Sequence, residues 1–401
     1  MAIYLYFVKD CNVRIWGLTP KERTEKVLAG IATPVEDLTS VGNSDHVLIL
    51  RGDYVLEDRL LKQIASLSDC MLLVRQGQNR VPVAANVSGA MAKKAEAAIR
   101  AAHEPAGADG LARHSLESIS VSFDQKLRKF EPPFAVQVTE NTAKQIERRL
   151  FDWSYKGVTD LVTKWLWPKP ASWAVRQCVR LGIRPNQVTF AGFLLVILAG
   201  WLFARGYLGC GLLAGWLMTF LDTVDGKLAR VTVTSSKFGH YFDHIIDLVH
   251  PPIWYMLWGM GLEYTGQYHL DISPSILYWL IFAGYILGRL VEGIFQWYVA
   301  GFEIFCWKPV DSFFRLVTAR RNPCLILLTL FYLSGRPDLG FLGVAFWTGA
   351  TTLFLLFRLF YALYEKSRHG SLKSWLQEID WSSRPYSLAI RWFTRCDAAS
   401  R

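Results

Sequence analysis

From Val188 onward the chain passes through apolar stretches at roughly 188–205, 207–229, 237–261, 274–299, 322–335 and 339–363, separated by short polar connections. A helix needs about 20 apolar residues to cross a bilayer. Lipid offers no partner to an open backbone amide, so runs of this length admit helices that satisfy themselves. Six spans follow, the fifth of them short. Before Trp165 the apolar residues come instead in strand-length bursts. The chain thus reads as a multi-domain protein. Residues 1–150 form an α/β soluble head, 151–185 a juxtamembrane interfacial segment, 186–365 an all-α bundle of six transmembrane helices, and 366–401 a basic cytosolic tail.

Charge placement supports that division. The net charge is +10, yet many basic residues stand beside apolar runs, at Lys169, Arg176, Arg180, Arg184, Arg315, Arg320, Arg321 and in the tail after Arg358. That arrangement suits anionic headgroups and the positive-inside rule, and it argues against a nucleic-acid partner. The connection Glu263–Ser273 has no lysine or arginine, whereas 300–321 carries Lys308, Arg315, Arg320 and Arg321. The expected orientation puts the head, the 300–321 loop and the tail in the cytoplasm, as in a bacterial inner-membrane protein. The seven cysteines include no CxxC pair, so neither a disulfide frame nor a zinc site is expected. MAIYLYFVKD is too short and lacks the basic start of a cleaved signal peptide.

The chemistry-bearing stretch is Leu221–Asp247, LDTVDGKLARVTVTSSKFGHYFDHIID. Asp222 and Asp225 are three apart and Asp243 and Asp247 four apart, so each pair shares a helix face. TVTSSK between them reads as a turn. Four carboxylates then converge from two helix ends, where like charges would force some to protonate. A divalent cation removes that penalty, and hard oxygen donors select Mg²⁺, Mn²⁺ or Ca²⁺. Gly226, Ala229 and Gly239 are small enough for close approach by a bulky ligand, and Arg230 supplies a fixed positive charge. The set describes a seat for a pyrophosphate.

This stretch resembles the motif of the CDP-alcohol phosphatidyltransferase family, D-x2-D-G-x2-A-R-x8-G-x3-D-x3-D. It is met without substitution by Asp222, Asp225, Gly226, Ala229, Arg230, Gly239, Asp243 and Asp247. The resemblance implies transfer of a phospho-group from a CDP-linked donor to an alcohol with release of CMP, a magnesium- or manganese-dependent transferase with two ions. It implies metal binding by Asp222, Asp225, Asp243 and Asp247, with Asp247 also the base. Donor binding would fall to Asp222, Gly226, Ala229, Arg230 and Gly239. Arg184-Pro185-Asn186 introduces the first span, and a similar proline-asparagine pair in the family makes Asn186 a donor-site candidate. A homodimer packed through the membrane spans is the family expectation. CDP-diacylglycerol is the favoured donor, for phospholipid biosynthesis. A CDP-linked polar alcohol of the CDP-inositol type is the alternative. A non-catalytic membrane anchor would not need all four acids, and a transporter would show repeated spans.

In the head, IYLYFV, VLIL (47–50), CMLLV (70–74), VPVAANV (81–87) and FAVQVT (134–139) read as strands. They alternate with helices around Pro20–Leu28, Asp58–Leu67 and Met91–Ala102. A charged helix is expected over Glu140–Tyr155. HVLILRGDYVLEDRLL resembles the metal-aspartate strand of sugar-nucleotide transferases, with Asp53 at the strand's end. The glycine-rich triphosphate loop of that family is missing near Gly17, which implies a degenerate nucleotidyltransferase-like domain. His240 and His244 have zinc-compatible spacing, but Tyr241 stands where a zincin has its glutamate, so helix packing or donor contact is expected. Arg289 and Glu292 lie three apart inside the fourth span, where each charge costs roughly 2.5–3.5 kcal/mol. Either they pair, or Arg289 lines an acceptor pocket. Arg315, Arg320 and Arg321 in DSFFRLVTARRNP suit headgroup contact, orientation or an acceptor phosphate.

Overall fold

The computed structural model describes residues 2–103, 110–119, 123–125, 127–379 and 386–394; the side chains of Lys237, Phe238 and His240 lie outside that description. The head is a mixed sheet of β1 (Ile3–Val8), β2 (Thr33–Pro34), β3 (His46–Arg51), β5 (Cys70–Gln76), β6 (Asn79–Ser88) and β7 (Ala112–His114), in the order β2-β1-β3-β6-β5-β7. A short strand, β4 (Tyr54–Leu56), leaves the sheet and pairs with Ala135–Gln137. β1 runs parallel to β3, and β6 runs antiparallel to both β3 and β5. The sheet is covered on both faces, so its central strands are apolar on both sides rather than alternating. One cluster joins Leu48, Leu50 and Leu72 to Leu61 and Ile64; the other joins Val47, Ile49 and Val87 to Ala92 and Ile99.

Four helices belong to the head: α1 (Pro20–Val27), α2 (Asp58–Ser66), α3 (Gly89–Ala101) and the short α4 (Leu116–Ile119). Thr19 and Glu22 form a capping box that starts α1. Buried Asn86 ties β6 to the end of α2, its Nδ2 donating to the carbonyls of Ile64, Ala65 and Leu67 at 3.2, 3.2 and 2.7 Å.

α5 (Glu140–Trp153) leads out of the head, and α6 (Pro168–Arg180) follows a π-helical turn at Val162–Leu166. Trp165 and Trp173 stand exposed there, beside lysines and arginines. That composition suits a headgroup layer.

The helical body comprises α7 (Pro185–Ala204), α8 (Leu208–Val231), α9 (Lys237–Tyr264), α10 (Pro274–Ile294), α11 (Pro309–Val317), α12 (Arg321–Leu333) and α13 (Pro337–His369). A last short helix, α14 (Leu388–Phe393), packs back on α11. Proline opens α7, α10, α11 and α13, where its missing amide hydrogen costs nothing. Trp254, Trp258, Phe203 and Phe341 fill the centre. Large apolar side chains such as Trp279 (70%) and Leu353 (69%) face outward. So broad an apolar exterior fits lipid rather than water.

Of the six expected spans, length and composition support four or five. Among the described residues four helices are long and apolar enough to cross a membrane: α7, α8, α10 with its π-helical continuation to Ala300, and α13. A fifth is reached if α11 and α12, bent by 45°, make one span. α9 is long enough, but its histidines, aspartates and paired prolines dilute the apolar run. The 300–321 connection, expected as a loop, contains the helix α11 and a short helical turn at Ile304–Cys306.

α7 and α9 approach backbone to backbone. A Cβ at Gly261 would stand 1.9 Å from the carbonyl oxygen of Phe203. Gly261→Ala is therefore expected to force the helices apart and cost roughly 1–3 kcal/mol, read as a lowered melting temperature in detergent. An unchanged melting temperature would contradict this contact.

Candidate active site

The site forms where α8 ends and α9 begins. Ser236 caps α9 by accepting from the Gly239 amide at 2.9 Å. A Cβ at Gly239 would come within 2.6 Å of the Asn186 Oδ1, so glycine there lets α9 start against the first turn of α7. Gly226 differs: an added Cβ would meet only the Arg230 guanidinium, at 3.6 Å. Space is thus kept open beside the carboxylates.

Asp222, Asp225 and Asp243 each offer a carboxylate oxygen, and these atoms lie within 4.8 Å of one another. Asp225 is buried and accepts from the Thr189 hydroxyl at 2.6 Å. Asp247 belongs to a different contact. Arg321 donates to it through Nη1 at 2.6 Å and to Asp222 through Nη2 at 2.5 Å, a two-pronged clasp across the helix pair. A hard-oxygen triad with an open glycine beside it fits a divalent cation. Three of the four expected carboxylates thus converge, while the fourth is held by an arginine placed at the start of α12.

The other residues singled out from the sequence separate. Arg289 pairs with Glu292 at 3.1 Å, and Arg320 shares that carboxylate at 2.5 Å. The intramembrane pair is therefore a triad that binds α10 to the start of α12. Arg230 donates to the Ser154 carbonyl at 3.1 Å, and Ala229 lies one turn beyond Asp225 on α8. Arg315 is 7% exposed, and its Nε and Nη1 have no hydrogen-bond partner among the described residues. His244 is exposed, and the ring of His240 lies outside the described residues.

In the head, Asp53 is engaged by Arg51 at 2.8 and 2.6 Å and by Gln137 at 2.9 Å. Burial opposes its charge, yet these donors hold its carboxyl below the usual range. The segment near Gly17 buries Trp16 against α5, its indole donating to the Glu147 carbonyl at 2.8 Å. That stretch serves docking.

Sequence reasoning missed how the head seats on α8. Buried Arg23 of α1 donates to the Val231 carbonyl at 2.8 Å and to Asp58 at 2.9 Å, capping the helix that carries the acids. Lys227, an unfixed motif position, donates to the Ser154 carbonyl at 3.2 Å and lies 3.6 Å over the Tyr155 ring. Asp160 accepts from Asn322 Nδ2 at 2.9 Å. Burial opposes its ionisation, but neighbouring Arg315 and these hydrogen bonds keep its carboxyl below the usual range. None of these pairs has a local signal, since the partners are 35 residues apart for Arg23 and Asp58 and more than 70 apart for the rest; Thr189 alone was within sight, one turn after Asn186.

Residues 183–381 match the CDP-alcohol phosphatidyltransferase family. Archaetidylinositol phosphate synthase of Pyrococcus horikoshii is 49% identical over 70 residues, 17% of this chain and 36% of that protein. The bifunctional IPC transferase and DIPP synthase of Thermococcus kodakarensis is 29% identical over 133 residues, 30% of this chain and 31% of that protein. The matched segments thus span about a third of each curated relative.

Proposed function

Since residues 183–381 carry a CDP-alcohol phosphatidyltransferase domain, we propose that the protein is an integral-membrane transferase moving a phosphatidyl group from a CDP-linked lipid to an alcohol, in phospholipid synthesis. The observation that carries this reading is the convergence of Asp222, Asp225 and Asp243 beside the open Gly226. CDP-diacylglycerol is the favoured donor, because the helices beside the site expose apolar side chains that suit acyl chains. A CDP-linked polar alcohol is the second reading, favoured by the similarity to the bifunctional Thermococcus protein.

Asp222, Asp225 and Asp243 would hold Mg²⁺ or Mn²⁺, in a pair with Asp247 contributing. Metal bound to these carboxylates would supply positive charge to offset that of the pyrophosphate and of the leaving CMP. Asn186, Gly226, Ala229, Arg230 and Gly239 shape the donor seat, with Arg230 offering positive charge. The acceptor oxygen attacks the donor's alcohol-linked phosphorus, the P–O–P bond breaks, and CMP departs with the bonding pair. Asp247 takes the hydroxyl proton, and its contact with Arg321 orients that carboxylate. The acceptor is assigned to the side of Arg289, Arg315, Arg320 and Arg321. The head and the site face the cytoplasm, in keeping with the charge asymmetry of the loops, and homodimerisation through the spans is part of the proposal.

Purified full-length protein in detergent, given Mg²⁺, radiolabelled CDP-diacylglycerol or a CDP-linked polar alcohol, and a panel of alcohols, is expected to release CMP with the lipid donor. Release only with the polar donor would select the second reading. Release with neither donor would end both.

A further inference from the structure

The helix that carries Asp222 and Asp225 ends against the head. Val224, Leu228 and Val231 repeat along one face of α8 and are buried in a cluster with Ile15, Trp16, Val55 and Phe134. The turn that follows, Thr232–Ser236, joins this helix to α9 and so links the Asp222–Asp225 pair to Asp243. Its shape sets how closely the three carboxylates approach one another.

The turn begins as a Schellman ending: the Thr234 amide donates to the Ala229 carbonyl at 2.9 Å, across a residue in the left-handed region. Glycine ordinarily fills that position, because a Cβ is strained there. Here it is Val233, at φ +51°, and a β-branched residue with positive φ is a true outlier. The hydrogen bonds of the turn make no use of its side chain: the hydroxyls of Thr232 and Thr234 meet at 2.6 Å, and Ser236 accepts from Gly239. Val233 packs instead against the head's apolar cluster, the one that holds Val27, Leu28 and Leu61. Two residues before it, the Val231 carbonyl takes Nη1 of Arg23, whose Nη2 is held by Asp58. Strained backbone persists where its surroundings over-determine it, and such positions gather where geometry matters to function. A glycine would form this turn by itself; a valine forms it against the seated head.

We propose that Arg23 and Val233 are positioning residues: through them the head clamps the α8–α9 turn, brings Asp243 to the Asp222–Asp225 pair, and sets the affinity of the triad for a divalent cation. The proposal rests on the metal reading of that triad. It makes the head part of the metal site's support rather than a separate module joined to a membrane enzyme. Linkage also makes the coupling reciprocal, so metal at the triad must tighten the seating of the head by the same factor.

The test uses full-length protein in detergent, freed of metal and titrated with Mn²⁺ under electron paramagnetic resonance, a readout that needs no substrate. Arg23→Met removes a charged donor from the Val231 carbonyl and should weaken Mn²⁺ binding by about tenfold; Arg23→Lys should recover most of it. Val233→Gly is the sharper variant, and it decides alone should Arg23→Met fail to fold. Glycine adopts this φ freely, so a merely local role predicts an equal or higher melting temperature with Mn²⁺ affinity unchanged. The clamp predicts binding weaker by about fivefold, because the side chain that docks the turn on the head is gone. Saturating Mg²⁺ should slow amide hydrogen exchange in Pro20–Val27 of the wild type by about fivefold or more, and have little effect in Arg23→Met. Unchanged Mn²⁺ affinity in both variants would overturn the proposal, as would exchange in the wild-type helix indifferent to Mg²⁺. Wild type that binds no Mn²⁺ would end the metal reading, and the clamp with it.

Discussion

Asp247→Asn is expected to bind metal and CDP-linked donor nearly as wild type and to release CMP about 10²–10⁴ times more slowly, the usual contribution of a general base. The substitution keeps side-chain shape and one oxygen, so Arg321, which now donates at 2.6 Å, retains an acceptor. What is lost is basicity at the position proposed to take the acceptor's proton. A purely structural role predicts something else: loss of the Arg321 clasp would loosen Asp222 too and weaken donor binding. Three readouts separate the two: donor affinity by calorimetry, single-turnover CMP release, and the pH profile of kcat/KM. The profile should lose its rising limb in the variant. A kcat within threefold of wild type would refute the base assignment.

The second large effect concerns stability. Arg358 of α13 reaches Asp311 of α11 with two bonds, Nε to Oδ1 at 2.6 Å and Nη2 to Oδ2 at 2.7 Å. Both residues are buried, and the guanidinium also lies 4.4 Å over the Trp307 ring. Asp311 Oδ2 additionally accepts from the Lys308 amide at 3.0 Å, holding the start of α11. Arg358→Met strands a carboxylate away from water, and removing one partner of a buried pair costs about 3–5 kcal/mol. Unfolding in detergent should shift accordingly. The double variant Asp311→Leu/Arg358→Met should recover much of the loss, because no charge is then left unpaired. Equal instability of single and double variants would show that the bidentate geometry, not the stranded charge, sets the cost.

The residues that could be read in advance share a property: their partners are close in sequence or their periodicity is strong. Strands β1, β3, β5 and β6 and helices α1, α2 and α3 are found within a few residues of expectation, because apolar runs, capping residues and prolines act locally. The spans were harder. α11 was read as loop since its polar and basic residues mask a helix whose charges are satisfied by α13, a partner 47 positions away. α9 is a helix of the expected length, Lys237–Tyr264, whose histidines and aspartates dilute its apolar signal.

The eight-position motif determined, without any coordinates, the family and the residues around which chemistry is to be sought, since spacing on a helix fixes which side chains share a face. Tertiary structure alone decided how those residues are divided. It set three carboxylates together and gave Asp247 to Arg321, and it spent Arg289 and Arg320 on Glu292. Those choices depend on which helix ends meet, and that is settled by the Asn186 side chain against Gly239, by the Phe203 backbone against Gly261 and by the seating of Arg23 on α8, contacts between residues far apart in the chain.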